Sequence, residues 1–342
     1  MKTNFKVWAA LAAAICCAFA GCNKITVDEP ESDYYIVNLG MGGEILNVTD
    51  EPLTRGGETA DLYGIQVYST PNIELAEGQN PVWTNYAYGL FASDDDITIK
   101  LIKGKKYKFV ATMVVDGQNK LYKYSGPSYS FPFYVSGTNS KFSSITTIFD
   151  YQSADYFSGL KNGSSHMADG QSYNHPNTER FYGELVDYVP GKKGSNKALI
   201  KMKRVSFGAK FMAKGKLAKE GTLEVQMTEA PKMLLDLTTS EKTISDIFTF
   251  NDVDGAYADN NHNETIAVTL NWHRDDGTIF PLGTHDITFK RNKTSVVQIT
   301  IENENADNPL GVEIDDVDMT EDEDITNIED GEVTDTDVDT NA

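Results

Sequence analysis

Apolar and polar residues alternate with a period of two through most of this 342-residue chain, and this alternation restricts the fold more than any other feature. In the segment KKYKFVATMVV, a strand would carry Lys106, Lys108 and Thr112 on one face. Its other face would carry the apolar residues Tyr107, Phe109, Ala111, Met113 and Val115. The chain is therefore predicted to fold from β-strands.

The second half of the chain repeats the pattern. In KRVSFGAKFMA, Arg204, Ser206 and Lys210 are predicted to point outward. Asp-Gly pairs at 116–117 and 276–277 predict hairpin turns. Many short alternating strands with such turns are typical of antiparallel β-sandwiches. The predicted inward-facing residues of this half are Val205, Phe207, Ala209, Phe211, Ile266, Val268, Leu270, Trp272, Ile287, Phe289, Val297, Ile299 and Ile301.

A glycine-rich, charged segment, GKKGSN at residues 191–196, indicates a domain boundary. We expect an all-β fold with two β-sandwich domains, at residues 34–192 and 193–305, preceded by a tether at residues 22–33. Residues 34–48 are expected to pair within the first sandwich. The apolar residues expected to be buried there are Ile36, Val37, Leu39, Ile45 and Leu46.

The N-terminus has the features of a targeting segment. Lys2 and Lys6 precede a short apolar run that ends in FAGC, which is similar to a lipobox. Residues 1–21 are thus expected to be a lipoprotein signal peptide, with acylation of Cys22 anchoring the protein in the outer membrane. An ordinary signal peptide cut after Ala20 or Gly21 is the alternative. Because Cys16 and Cys17 leave with the signal peptide, the mature chain has neither disulfides nor a cysteine metal site.

Negative charge is concentrated at the C-terminus. Residues 302–342 contain 17 Asp and Glu and no Lys or Arg, whereas the rest of the chain is nearly balanced, with 34 acidic and 30 basic residues. Such a segment buries little apolar surface, so residues 306–342 are expected to be a disordered acidic tail. Nucleic acid is not expected as a partner, because binding to phosphates requires a basic surface.

No motif of catalysis or metal binding is present in the sequence. The five histidines form neither H-x-x-H nor H-E-x-x-H, and no G-x-S-x-G occurs. The oxygen-rich segment NDVDGAYADNNHNE lacks the glycine spacing of an EF-hand loop. We therefore expect a non-enzymatic protein without a metal or a cofactor.

Several motifs, taken in order, resemble the fimbrillin-type lipoproteins of Bacteroidetes. They are the lipobox, a predicted strand pair YYIVNL and GEILNV, a PLTR turn, a strand DLYGIQVY, the strand MKRVSFGAKF and the closing segment PLGTHDITFKRNKTSVVQITI. The resemblance implies two transthyretin-like Greek-key β-sandwiches, export as a palmitate-bearing outer-membrane lipoprotein, and a role in fimbriae and cell adhesion.

The resemblance also implies an assembly route. An Arg-specific protease would cut after Arg55, Gly56 would become the new N-terminus, and the released first strands would leave a groove for a strand of another fimbrial subunit. The tail segment NPLGVEIDDVDM, with Val312 and Ile314, is a candidate donor strand. Arg55 is the only basic residue between Lys24 and Lys100.

Other interpretations remain open from the sequence. Arg55 is alternatively a solvated loop charge. The acidic tail is alternatively the mark of an accessory, anchor or tip subunit that is not polymerised, and anchoring members of the family keep their lipid and escape cleavage. A glycan-binding surface lipoprotein of a polysaccharide-uptake system would use the aromatic segment LYKYSGPSYSFPFY, including Tyr129 and Phe131, as a platform. A free adhesin that binds a host protein without polymerising is a third possibility.

Overall fold

The computed structural model describes residues 33–44, 60–191, 196–215, 220–301 and 310–319. In these ranges the chain forms 21 strands and two short helices. The first part contains β1 Tyr34–Gly43, β2 Leu62–Pro71, β3 Thr84–Phe91, β4 Thr98–Ile102, β5 Lys105–Val114, α1 Gly117–Lys120, β6 Lys123–Ser125, β7 Ser128–Ser136, β8 Lys141–Ser144, β9 Tyr156–Phe157, β10 Ser165–His166, β11 Ser172–Tyr173, β12 Arg180–Tyr188 and β13 Lys197–Arg204. The second part contains β14 Ser206–Lys214, β15 Thr222–Met227, β16 Met233–Asp236, β17 Thr243–Thr249, α2 Val253–Ala258, β18 Asn263–His273, β19 Ile279–Lys290, β20 Lys293–Ile301 and β21 Leu310–Asp318.

The first part is built on a seven-stranded sheet in the order β3-β2-β5-β12-β13-β1-β4. Inward side chains from all seven strands meet in one core, so the sheet folds over on itself as a sandwich does. The predicted inward residues of β5, from Tyr107 to Met113, lie in this core. The expected alternation is therefore confirmed for this face of the strand.

The second face of the same sheet is covered as well. A small sheet of β6, β7 and β8, with β9 paired to β7, packs its buried rings against β2, β3 and β5. Thr112, predicted to face outward with two lysines, is consequently buried and donates to the carbonyl of Phe181 at 3.0 Å. The Asp116–Gly117 turn is also not a two-residue hairpin, because Asp116 leads into the helix α1.

Two four-stranded sheets form the second part, in the orders β17-β14-β20-β21 and β16-β15-β18-β19. The inward residues predicted for β14, β18, β19 and β20 are all buried between them, which confirms the sandwich in this half. Two predicted outward residues, Arg204 and Ser206, are instead buried. They lie where the first part meets the second, so both faces of the chain are covered there.

The segment 192–195 connects β12 to β13, and these two strands pair antiparallel in the seven-stranded sheet. β13 thus lies with the first sandwich although it follows the expected boundary at residue 193. We propose that the sandwiches divide at Val205, between β13 and β14. Most pairings are antiparallel as predicted, but β1 with β13 and β14 with β20 are parallel.

Candidate functional site

The first strand, β1, lies inside the seven-stranded sheet and not at its edge. It pairs in parallel with β13 from Asn38 to Gly43, and antiparallel with β4 from Tyr34 to Asn38. Both partners are distant from β1 in the sequence. If β1 left, β13 and β4 would each expose a row of unpaired backbone N–H and C=O groups.

One face of β1 is part of the core. Val37 is 0% exposed and Leu39 5% exposed, and Met41 is also buried. Ile36, predicted to be buried, is 60% exposed because it lies on the opposite face of the strand. Two further residues of that prediction, Ile45 and Leu46, lie outside the described residues, as does most of the predicted second strand GEILNV.

The connection between β1 and β2 contains the candidate cleavage site. In the sheet, β5, β12 and β13 lie between β1 and β2, a path of about 19 Å along the sheet at the usual spacing of strands. Residues 45–59 join the two, and Arg55 and Gly56 belong to this segment, outside the described residues. The lipidation site Cys22 also lies outside them. The structure therefore places the strand before the predicted cut, but not the cut itself.

The chain leaves β1 through a glycine and a charged residue. Gly43 has a φ of 82°, and a Cβ added to it would lie 2.6 Å from the carbonyl oxygen of Met202. Only glycine fits this backbone without strain. The following residue, Glu44, donates its backbone N–H to the same carbonyl at 2.9 Å. This turn fixes the position of the Glu44 side chain.

Two arginines hold the Glu44 carboxylate. The Nη1 and Nη2 atoms of Arg291 donate to its two oxygens at 2.8 and 3.0 Å, and the backbone N–H of Arg204 donates to Oε2 at 2.7 Å. This is the bidentate geometry in which arginine binds carboxylates most strongly. Burial alone would raise the pKa of Glu44, but the hydrogen bonds and charges of Arg291 and Arg204 lower it below its ordinary value. Glu44 is therefore held as an anion.

The arginine pair is organised by other groups too. Arg291 Nη1 also donates to the Arg204 carbonyl at 2.8 Å. Arg204 Nε donates to Glu179 at 2.8 Å, and its Nη1 donates to Asn292 Oδ1. Both arginine side chains are buried. The two cationic groups are thus fixed in place by contacts that do not depend on Glu44.

The candidate donor segment forms β21 at the edge of the second sandwich. It pairs antiparallel with β20, with Val312 opposite Ile299 and Ile314 opposite Val297. The first part of the expected disordered tail is thus a strand at residues 310–318. Asp316 on this strand accepts from Lys290 Nζ at 2.5 Å and from Ser295 Oγ at 2.8 Å.

Residues 290–293, the basic turn between β19 and β20, contact both strands of interest. Arg291 of this turn binds Glu44 after β1, whereas Lys290 binds Asp316 of β21. The carbonyl of Asn292 also accepts from the N–H of Met319 at 3.3 Å. The end of β1 and the C-terminal end of β21 are therefore both bound to one short turn.

The aromatic segment is only partly available as a binding platform. Tyr129 is 1% exposed and belongs to the core, whereas Phe131 is 37% and Tyr124 is 64% exposed. Tyr124 stacks on Phe142 at 4.3 Å between ring centroids, and Tyr134 links Phe142 to Phe131. These four rings form a continuous run on the small sheet. The predicted use of Tyr129 as a platform residue is contradicted by its burial.

Three histidines in the described part of the chain, His175, His262 and His273, lie against glutamate carboxylates, and none belongs to a metal cluster there. His175 Nε2 lies 2.9 Å from Glu264, and His273 Nε2 lies 3.1 Å from Glu224. Over the described ranges, no group of three or more His, Cys, Asp or Glu side chains is placed to hold a metal ion. None of the helices described is long and apolar enough to cross a membrane.

Sequence reasoning missed the Glu44–Arg291 pair and the role of Arg204. Glu44 and Arg291 are 247 positions apart in the sequence, and no local pattern relates them. The alternation around β13 and β14 even predicted Arg204 to face solvent. The one available signal was the Gly-Gly-Glu sequence at the end of an apolar strand, which indicates a turn but not a partner.

No protein-family profile matches the chain, and no curated protein matches it in sequence. Solved structures that are similar in shape include a fimbrial assembly protein from Parabacteroides distasonis, with 9% identity, a TM-score of 0.31, and coverage of 83% of this chain and 96% of that one. A fimbrial anchor protein from Porphyromonas gingivalis has 10% identity and a TM-score of 0.34, covering 83% of this chain and 97% of that one. A tip fimbrial protein from the same organism has 9% identity and a TM-score of 0.32, covering 76% and 94%.

These proteins are of the kind to which the sequence motifs pointed. At such identities and TM-scores, however, the likeness is too weak to support a conclusion about the function of this chain.

Proposed function

We propose that this chain is a non-enzymatic structural or accessory subunit of a cell-surface fimbria that contributes to adhesion. In this proposal Cys22 anchors the exported protein in the outer membrane through its acyl chains, and β1 is exchanged for a strand of a neighbouring subunit after cleavage between Arg55 and Gly56. The observation that carries the proposal is the position of β1, which is an inner strand bound only to strands distant in the sequence.

Loss of β1 would create a binding site for another strand. The edges of β13 and β4 would be unpaired, and the core around Val37, Leu39 and Met41 would be open. Main-chain hydrogen bonds and pockets for alternate side chains are what strand addition provides. Full burial of one aliphatic side chain is favourable by about 1.5–3 kcal/mol. A strand with three alternating apolar residues would thus be bound firmly.

Cleavage supplies the step that makes exchange possible. In the intact chain, residues 45–59 tether β1 to β2, so a displaced β1 returns readily. A cut at Arg55 makes β1 a separate peptide, which is lost once it dissociates. Other fimbrial subunits are therefore the proposed partners, and the near-neutral body gives no reason to propose nucleic acid.

Substitution of Arg55 tests this model. Filaments from wild-type cells should contain subunits that begin at Gly56, whereas Arg55→Ala should give a folded lipoprotein that begins at Cys22 and does not enter filaments. Lys192→Ala, which removes a basic residue from another connection between strands, should behave as wild type. N-terminal mass spectrometry and electron microscopy of purified filaments give the readout. Filaments built from Arg55→Ala subunits would show that the cut is not needed.

The anchor is tested separately with Cys22→Ala. This variant should lose labelling by a palmitate analogue and should appear in the medium. If it stays in the membrane fraction, the proposed lipid anchor is wrong.

The run of four rings favours a second candidate function, recognition of a glycan. Aromatic faces stack on sugars, and Tyr124 and Phe131 are exposed at the two ends of the run. Affinity electrophoresis against a panel of polysaccharides should then show retardation that Tyr124→Ala and Phe131→Ala abolish. Tyr129→Ala is unsuitable because that ring is in the core. Retardation unaffected by both variants would exclude this platform.

A further inference from the structure

The Glu44 contacts show that the position of β1 has a charged end as well as an apolar face. Arg291 grips the carboxylate with both terminal nitrogens, and the N–H of Arg204 adds a third donor. Within the described ranges, Glu44 is the one carboxylate paired with Arg291. Arg291 Nε, also buried, has no hydrogen-bond partner among the described residues. The guanidinium of Arg291 therefore depends on Glu44 for its charge balance, whereas that of Arg204 is already paired with Glu179.

A buried guanidinium that loses its anion is unfavourable, because water and the remaining carbonyl contact compensate the lost charge pair only in part. Departure of β1 would remove Glu44 from Arg291 and leave such a group. The arginines themselves would stay in place, since Glu179, Asn292 and the Arg204 carbonyl hold them. An incoming strand that carries a carboxylate at this point would restore the pairing, whereas one without it would not.

We propose that Arg291 and Arg204 form a carboxylate-binding site at the end of the β1 position, and that this site selects the replacing strand by an acidic residue that follows its last inward-facing side chain. The inference rests on the proposed exchange of β1. The occupant to which we commit is residues 310–318 of a second copy of this chain.

That segment has a similar pattern in its sequence, although the third position after Ile314 is Val317. In β1, the apolar residues at positions 37, 39 and 41 alternate, and the acid follows three positions after the last of them. In the tail, Leu310, Val312 and Ile314 alternate in the same way, and aspartates stand one, two and four positions after Ile314. The whole region from residue 302 onward contains no basic residue. Its charge is thus complementary to the guanidinium of Arg291, which the departure of Glu44 would leave unpaired.

Carboxylate binding can be measured in the intact chain without any strand exchange. Glu44→Ala should lower the melting temperature, and acetate should raise it again in a saturable way, whereas equal chloride should not. The double variant Glu44→Ala/Arg291→Met should not respond to acetate. Absence of a specific acetate response would overturn the carboxylate site.

Strand selection is measured on a cleaved chain, in which a site-specific protease sequence replaces residues 54–57. Labelled peptides are added in excess and their binding is followed by fluorescence polarisation. A peptide of residues 34–44 should bind roughly thirtyfold more tightly than its Glu44→Gln form. Arg291→Met in the protein should remove this difference. Lys197→Met, which removes an exposed positive charge from β13, should leave it intact.

A peptide of residues 310–319 should also bind, and its Asp315→Asn/Asp316→Asn/Asp318→Asn form should bind much more weakly. Equal binding of the peptide of residues 34–44 and its Glu44→Gln form would overturn the selection by charge. If residues 34–44 bind selectively and residues 310–319 do not, the tail is the wrong occupant. If acetate acts but no peptide replaces β1, the carboxylate site stands and the exchange of strands in the proposed function fails.

Discussion

The inward residues of β1 should determine how long the strand stays in place after cleavage. Leu39 is buried in the core, whereas Ile36 on the same strand is largely exposed. Truncating a buried leucine to alanine costs about 2–5 kcal/mol, because the transfer energy and a cavity term add. With a cost of about 3 kcal/mol, Leu39→Ala should weaken the binding of β1 to the cleaved protein by roughly 150-fold. Ile36→Ala removes little buried surface and should change it by no more than about fivefold.

The sequence offers a convenient assay for this comparison. Without the signal peptide the chain has one cysteine, Cys22, which takes a fluorophore on the same side of the cut as β1. After cleavage between residues 54 and 57, an excess of unlabelled peptide of residues 34–44 prevents rebinding, and loss of polarisation gives the rate of release. Most of the effect should appear in this rate. If Ile36→Ala releases β1 as fast as Leu39→Ala does, contacts with the core are not what retains the strand.

Two further substitutions test the surroundings of the site. Gly43→Ala should destabilise the protein by about 2 kcal/mol, because alanine is strained at this φ and its Cβ would meet a backbone carbonyl. Gly42→Ala should cost less, because its Cβ would meet only the end of the exposed Leu199 side chain. Thermal unfolding compares the two variants, and equal losses of stability would contradict the steric explanation. Arg180→Met should destabilise the protein by about 3 kcal/mol and expose the loop at residues 159–162 to proteases, because this fully buried arginine donates to a threonine hydroxyl and to main-chain carbonyls of that loop. Arg180→Lys should not restore stability, because one ammonium group cannot reach all of these acceptors. Unchanged resistance of the loop to proteolysis in Arg180→Met would show that other contacts order it.

The strands of the second sandwich were predictable because each has one face on the core and one toward solvent. For β18, the four inward residues from Ile266 to Trp272 follow from alternation alone. β5 shows the limit of this reasoning. The small sheet covers the second face of β5, so Thr112 is buried between two layers. No local feature of the sequence indicates that a second layer is present.

The candidate site was predictable only in its outline. The motifs located β1, the segment with Arg55 and the strand with Val312 and Ile314, but not how they are held. Pairing between β1 and β13 joins residues more than a hundred positions apart, and it is decided by how the whole sheet folds over. The burial of Arg204 has the same origin, since it arises where two sandwiches meet and not from the strand itself.

Acid should loosen the end of β1 and the strand β21 together, because each is held by a carboxylate that binds a basic residue of the turn at residues 290–293. Glu44 faces Arg204 and Arg291, and Asp316 faces Lys290, Lys293 and the Ser295 hydroxyl. Burial opposes ionisation at both sites, but the basic neighbours prevail and the pKa of each carboxyl is lowered. Protonation removes the charge that these neighbours bind.

The sign of the effect follows from linkage. A carboxyl whose pKa is lowered in the folded state stabilises the fold at pH values above its pKa in the unfolded chain, which is 4.5 for Glu and 3.8 for Asp. That stability is lost as the pH falls below these values toward the folded pKa. Other carboxylates also weaken in acid, so the informative quantity is the difference in unfolding free energy between wild type and Glu44→Gln.

This difference should be about 2 kcal/mol at pH 7, the range for a charged hydrogen bond at a partly exposed group. For Glu44→Gln the difference should shrink steadily as the pH falls from about 5 to about 3, and for Asp316→Asn the decrease should begin at a lower pH, because the unfolded value of Asp is lower. Denaturant titrations at a series of pH values measure both differences in unfolding free energy. Hydrogen exchange shows whether the amides of β21 lose protection as these differences shrink. A difference that stays constant down to pH 3 would mean that Glu44 acts through its shape and hydrogen bonds, and that its charge is not what fastens β1 to the turn.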